Sequence, residues 1–193
     1  MPILFTNVRT LPSTDFSSSG LPFSYQPPHP GFALVGLALR AGHWIDQVSP
    51  IFAEMLEDGT IGPEIQGPSF GGQGGAPQEL RVAPGHVVTG IHTRSGNFVD
   101  AVRLLQARWD VSTLDVSTQR WTQWAGSSIM GGVERMERIV EPHGAAVAVG
   151  VAGRAGGYID NLTLISAELV RVTGTAVAKA TNRGATRANI ATG

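Results

Sequence analysis

Arg40-Ala41-Gly42-His43-Trp44-Ile45-Asp46 recurs as Arg94-Ser95-Gly96-Asn97-Phe98-Val99-Asp100 and again as Arg154-Ala155-Gly156-Gly157-Tyr158-Ile159-Asp160. The shared pattern is Arg, small, Gly, any residue, aromatic, aliphatic, Asp, which at average residue usage arises by chance on the order of once per million positions. Three occurrences make the chain a threefold internal repeat. Working outward, Val35, Leu37 and Leu39 alternate with Gly36 and Ala38, and Ile45 and Val48 resume after the turn. Each copy therefore predicts strand, tight turn, strand. Hairpin geometry alone accounts for the glycines at 42, 96 and 156, where the chain must reverse. It does not account for the aspartate, which is unfavourable in a strand yet follows the glycine by four residues in every copy.

A second feature accompanies the hairpins. Gly71-Gly72-Gln73-Gly74-Gly75 precedes the second copy, Met130-Gly131-Gly132 the third, and the degenerate Ser17-Ser18-Ser19-Gly20 the first. Such a backbone lets a ligand approach main-chain N–H groups closely. A phosphate cradle is disfavoured, because no Gly-Lys-Ser/Thr and no strand-to-helix setting follows.

The remainder of the 193-residue chain is consistent with one domain. Charged residues make up 15%, below the ~25% of typical soluble domains, but 42% hydrophobic residues argue against disorder. Abundant Gly and Pro favour short strands and turns over a helical bundle, so an all-β fold is expected. Fourteen basic against fifteen acidic residues provide no field for nucleic acid or an anionic membrane. With no cysteine, disulfides, thiolate chemistry and Cys-ligated zinc are excluded. Met1 to Asp15 lacks a basic region followed by a long apolar run, and no apolar stretch approaches the ~18 residues of a membrane span. The expectation is a cytoplasmic protein, or one released without a recognisable signal peptide, with no membrane insertion.

The Gly-x-aromatic-aliphatic-Asp turns at Gly42–Asp46, Gly96–Asp100 and Gly156–Asp160, with the Gly-Pro-x-x-Gly-Gly-x-Gly-Gly run from Gly67 to Gly75, resemble the jacalin-related lectins, most closely those in which the motif occurs three times. The resemblance spans Ser17 to Glu168. It implies a β-prism I fold of three four-stranded Greek-key sheets about a pseudo-threefold axis. Residues 1–170 would form one domain of three repeats (about 20–56, 71–110 and 130–168), and 171–193 a final strand or basic tail. In that family the turn supplies two backbone N–H groups and a carboxylate to a sugar, and a neighbouring glycine-rich loop supplies another N–H. Carried onto this chain, Gly42, His43, Trp44 and Asp46 would work with Gly74 and Gly75. Gly96, Asn97, Phe98 and Asp100 would work with Gly131 and Gly132, and Gly156, Gly157, Tyr158 and Asp160 with Ser19 and Gly20.

The residue types suit that role on their own chemistry. A carboxylate on an exposed turn can accept hydrogen bonds from two adjacent sugar hydroxyls, bonds roughly twice as strong as neutral ones. Backbone N–H groups serve the hydroxyl oxygens, and Trp44, Phe98 and Tyr158 either offer an apolar face to the sugar or pack in the sheet surface. His43, Asn97 and Gly157 differ at the variable position of each turn, which predicts unequal preference, with the Asp46 turn and its complete glycine loop the strongest.

His29, His43, His86, His92 and His143 show no metal-ligand spacing, so neither metal nor cofactor is needed. A glycosidase would place two carboxylates about 5–9 Å apart, whereas each turn here carries one. Arg40, Arg94 and Arg154 read as local partners and stay outside the site. The sequon Asn161-Leu162-Thr163 reads as unused, and Ala107–Gly126, with its three tryptophans, as a longer hairpin or an insertion. The expectation is a non-enzymatic, metal-independent carbohydrate-binding protein with up to three shallow sites, whose partners are mannose-type glycans and whose copies could assemble as a homo-oligomer. Mannose is favoured because galactose preference in the family accompanies a chain cleavage that nothing here signals. The alternative is a β-prism interaction or assembly module, as in a toxin or adhesin component.

Overall fold

A computed structural model describes residues 3–12, 19–110, 114–127, 133–138 and 146–171. The strands run β1 (Ile3–Thr10), β2 (Leu21–Tyr25), β3 (Phe32–Ala41), β4 (Ile45–Met55), β5 (Ile61–Gln66), β6 (Phe70–Gly71) and β7 (Ala76–Arg81). There follow β8 (His86–Ser95), β9 (Val99–Trp109), β10 (Leu114–Trp121), β11 (Ala125–Gly126), β12 (Val133–Arg138), β13 (Ala146–Ala155) and β14 (Ile159–Arg171). No helix occurs among the described residues.

Three hairpins, β3–β4, β8–β9 and β13–β14, form the centres of three antiparallel sheets ordered β5-β4-β3-β7, β10-β9-β8-β12 and β1-β14-β13-β2. In the first two, a later strand returns to the outer side of the first, which is the Greek key; β6 and β11 add short pairings to β4 and β9. The third sheet has the same order but takes its outer strands from the N-terminus, so the chain closes its own ring. The sheets therefore cut across the sequence segments: Leu21–Tyr25 pairs with β13, not with the first hairpin. The segment after Ala107 supplies the end of β9, then β10 and β11. Of 171–193, only Arg171 is described, paired with Ile3.

Each hairpin breaks register twice at equivalent places. The pairing skips Val35, Thr89 and Val149 low in the hairpin, and Asp46, Asp100 and Asp160 beside the turn. Such one-residue bulges re-aim a side chain and increase the local twist. They also answer the question left by the sequence, since these aspartates are the bulge residues and owe the ladder nothing.

The strands β3, β8 and β13 each contact the other two, which closes the sheets around one axis. Side chains from all three fill it: Leu34, Leu37, Ile45, Val48 and Phe52 meet Val88, Ile91, Val99 and Val102, and Val151, Ile159, Leu162 and Leu164. Burying a side chain of this size stabilises by about 1.5–3 kcal/mol. Asn161 and Thr163 of the sequon are buried in β14, beyond reach of a glycan-transferring enzyme in the folded state.

Candidate functional site

The three turns have the same exposure along their length: Gly and the variable residue are exposed, the aromatic ring is half-buried, and the aliphatic residue and Asp are buried. In each, the glycine N–H donates to the aromatic residue's carbonyl, Gly42 to Trp44 at 2.9 Å, Gly96 to Phe98 at 3.0 Å and Gly156 to Tyr158 at 2.9 Å. The carboxylates expected on exposed turns are in fact enclosed. Asp46, Asp100 and Asp160 are only 6%, 7% and 2% exposed, because the bulge directs each toward the neighbouring glycine-rich loop.

At Asp46 the part of that loop facing the carboxylate is glycine backbone. A Cβ on Gly74 would collide with Asp46 Oδ1, and one on Gly75 would lie 2.6 Å from Oδ2. Gly75 also has φ +61°, where a side chain is strained. The Gly72 N–H donates to the Asp46 carbonyl at 2.8 Å, and Gln47 Nε2 to the Gly72 carbonyl at 2.9 Å. No hydrogen bond among the described residues reaches the carboxylate of Asp46.

Arg40 explains the loop's shape. Its Nε donates to the carbonyls of Gln73 (3.1 Å) and Gly74 (2.8 Å), and Nη2 to that of Gly75 (2.8 Å). With carbonyls drawn to the arginine, trans-planar peptides turn the N–H groups of Gly74 and Gly75 the opposite way. The arrangement recurs at Asp160. Arg154 donates to the carbonyls of Ser19 (2.8 Å) and Gly20 (2.7 Å), Gly20 has φ +69°, and a Cβ there would collide with Asp160 Oδ2. Gly20 is thus the counterpart of Gly75. The sequence alone leaves these arginines outside the site; their constant place two residues before each turn glycine is the signal that ties them to the loop.

At Asp100 the lower part of the loop is present: Gly126 has φ +109° and Ser127 N–H donates to the Asp100 carbonyl at 2.8 Å, matching Gly71 and Gly72. Gly131 and Gly132 lie outside the described residues, as do Ser17, Ser18 and His143. Arg94 stacks over the Trp124 ring at 4.1 Å. Burial pushes the Asp100 carboxyl above its ordinary range.

Trp44, Phe98 and Tyr158 pack on one another, with ring centroids 5.3 Å (Trp44–Phe98), 4.9 Å (Trp44–Tyr158) and 4.9 Å (Phe98–Tyr158) apart. They form one triangle where the three turns meet, in place of three separate platforms. Among the described residues no group of three or more His, Cys, Asp or Glu side chains converges as metal ligands would.

No family model matches the sequence, and no curated protein matches it. Solved structures share the fold. Artocarpin, solved with methyl-α-mannose, gives a TM-score of 0.60 at 14% identity over 84% of this chain and 99% of that one. AcmJRL, a mannose-binding jacalin-related lectin from Ananas comosus, gives 0.56 at 18% identity over 82% and 96%. The agglutinin of Calystegia sepium gives 0.57 at 16% identity over 82% and 95%. Three Greek-key sheets closed about one axis, over nearly the whole length of these lectins, make this chain a β-prism with the fold of the jacalin-related lectins.

Proposed function

We propose that the chain is a non-enzymatic lectin that binds mannose-type glycans, without metal, at up to three sites on Asp46, Asp100 and Asp160. One observation carries this reading: Asp46 is largely enclosed, its carboxylate accepts no hydrogen bond from the described residues yet is not sealed from solvent, and it faces a wall of glycine backbone. A carboxylate held in a recess with its acceptor oxygens open is placed to take hydrogen bonds from a ligand. Two adjacent hydroxyls of a pyranose complete a carboxylate as acceptor, while N–H groups turned outward by Arg40 donate to the hydroxyl oxygens. A positive partner would serve the charge equally, but no cationic side chain among the described residues hydrogen-bonds it. Each turn holds one carboxylate, which supplies an acceptor but no acid–base pair for hydrolysis. The mannose-bound artocarpin structure supports the choice of sugar by likeness of fold.

The test is calorimetric titration with methyl α-mannoside in the presence of a chelator, followed by overnight incubation of a mannose glycan with the protein. Binding with no product formed is the expected result. No binding to any glycan on an array would overturn the reading and favour a β-prism interaction module; released sugar would make the chain an enzyme.

A further inference from the structure

The Asp160 turn differs from its counterpart at Asp46 in what lies beside it. Where sheet β1-β14-β13-β2 meets sheet β5-β4-β3-β7, a groove of about 620 Å³ runs from Gly20 and Gly156, at the lip of the Asp160 turn, along Leu21, Pro22 and Phe23 to Phe70 and Gly71. Its size lies within the ~300–1,000 Å³ usual for small-ligand sites. The phenyl rings of Phe23 and Phe70 are stacked, with centroids 4.3 Å apart and planes 12° from parallel. Room for them comes from a specific absence: Gly153 stands where the other hairpins have Leu39 and Thr93, and a Cβ on it would come 2.9 Å from Phe23 Cζ. At the rim Leu21 is 78% exposed, while the hydroxyl residues Ser24 and Ser69 also border the groove.

The equivalent corner beside Asp46 is tied by a polar contact. By register, Gln78 takes the place of Phe23 and Ala125 that of Phe70. There the Gly126 N–H donates to Gln78 Oε1 at 2.9 Å.

We propose that the groove is a second subsite, which receives the neighbouring pyranose of a glycan whose first sugar sits on Asp160. This rests on the carbohydrate-binding reading and deepens it. A pyranose has one chemistry on its faces and another on its edge: axial C–H groups suit the apolar bodies of Leu21, Phe23 and Phe70, and equatorial hydroxyls suit serine and glycine backbone. The groove presents both, and it shares Gly20 and Gly156 with the first site, so the two sugars need no gap between them. The Asp160 turn therefore selects for linked sugars, whereas the Asp46 turn reads one.

The experiment uses the full chain carrying Asp46→Asn and Asp100→Asn, leaving the Asp160 turn intact, and titrates methyl α-mannoside and the α-linked mannobioses. At least one mannobiose should bind about tenfold tighter than the monosaccharide. Adding Ser24→Trp, which fills the groove from an exposed edge-strand position, should abolish that gain and leave methyl α-mannoside unchanged; Leu21→Ala should reduce it. On the native chain, Phe23 and Phe70 ring resonances should move with the mannobiose and not with the monosaccharide, a measurement that stands if the double variant folds poorly. Equal affinity for monosaccharide and every mannobiose, or a gain that survives Ser24→Trp, overturns the subsite while leaving the lectin reading intact. Failure of the native chain to bind methyl α-mannoside or any mannobiose overturns both.

Discussion

The turns at Asp46 and Asp160 reach nearly the same geometry by different routes. At Asp46 the glycine wall follows in the same stretch of chain, and Arg40 grips it through Gln73, Gly74 and Gly75. At Asp160 the wall is Ser19 and Gly20, from the opposite end of the polypeptide, gripped by Arg154. Even the approach of turn to wall agrees: a Cβ on Gly42 would lie 3.8 Å from Gly75 Cα, and one on Gly156 3.8 Å from Gly20 Cα. Strand register fixes the site, since Ala76 pairs with Ala41 as Leu21 pairs with Ala155. Chain connectivity does not matter to it.

The strongest challenge to this equivalence is removal of the carboxylates. Asp46→Asn and Asp160→Asn should each weaken mannose at their own turn by about 1.5–3 kcal/mol, roughly 10- to 100-fold, as the loss of a charged hydrogen bond predicts. Calorimetry should then show one fewer measurable site in each case. Thermal midpoints should hold steady for Asp46→Asn, because its carboxylate accepts no hydrogen bond from the described residues; a marked fall would mean that Asp46 is structural.

Next in size is the wall. Gly74→Ala places a methyl group against Asp46 Oδ1 and should lower affinity at the Asp46 turn about tenfold while sparing Asp160. Gly20→Ala should do the reverse, and should also destabilise the fold by about 1–3 kcal/mol because of its positive φ. Equal effects of both changes at both turns would break the comparison.

Arg40→Met keeps the side chain's apolar length but releases three carbonyls. We expect a loss of about threefold to tenfold at the Asp46 turn, with amide exchange at Gly74 and Gly75 accelerated and β3–β4 exchange unchanged. Acceleration throughout the hairpin would assign Arg40 to the sheet rather than to the loop.

The smallest effect concerns Asp100. Its folded-state pKa lies above the ordinary 3.8, so the folded state holds this proton more tightly than the unfolded chain. Stability from this group is therefore gained as pH falls through the raised value and given up as pH rises past it. The difference in thermal midpoint between native and Asp100→Asn protein should widen upward across that window, in favour of the variant at the higher pH. A difference independent of pH would place the carboxylate in an ordinary environment.

Much of this architecture is legible in three seven-residue segments. Alternating apolar residues flanking Gly42, Gly96 and Gly156 specify hairpins, and three hairpins of equal pattern specify three sheets. What period and composition do not reveal is the bulge, since a one-residue slip beside a turn leaves no trace in hydrophobicity. The aspartates were legible as unusual residues but were expected on exposed turns, where the bulge in fact buries them. The arginines are legible by position as local partners, but only the folded loop shows which carbonyls converge on Arg40. The rings of Trp44, Phe98 and Tyr158 could not be placed from sequence, since whether they meet depends on how far apart the sheets stand at the axis.

By itself, then, the sequence determined that the chain is a threefold all-β repeat, and which residues recur at its turns. Those are local properties, carried by side-chain alternation and by glycine where the chain reverses. Tertiary structure decided that the N-terminal strands complete the last sheet, that Gly20 stands in for Gly75, and that Phe23 meets Phe70 beside Asp160. These depend on contacts between residues far apart in the chain. Their positions are set by sheets packing around a common core, and no local pattern can encode such a distance.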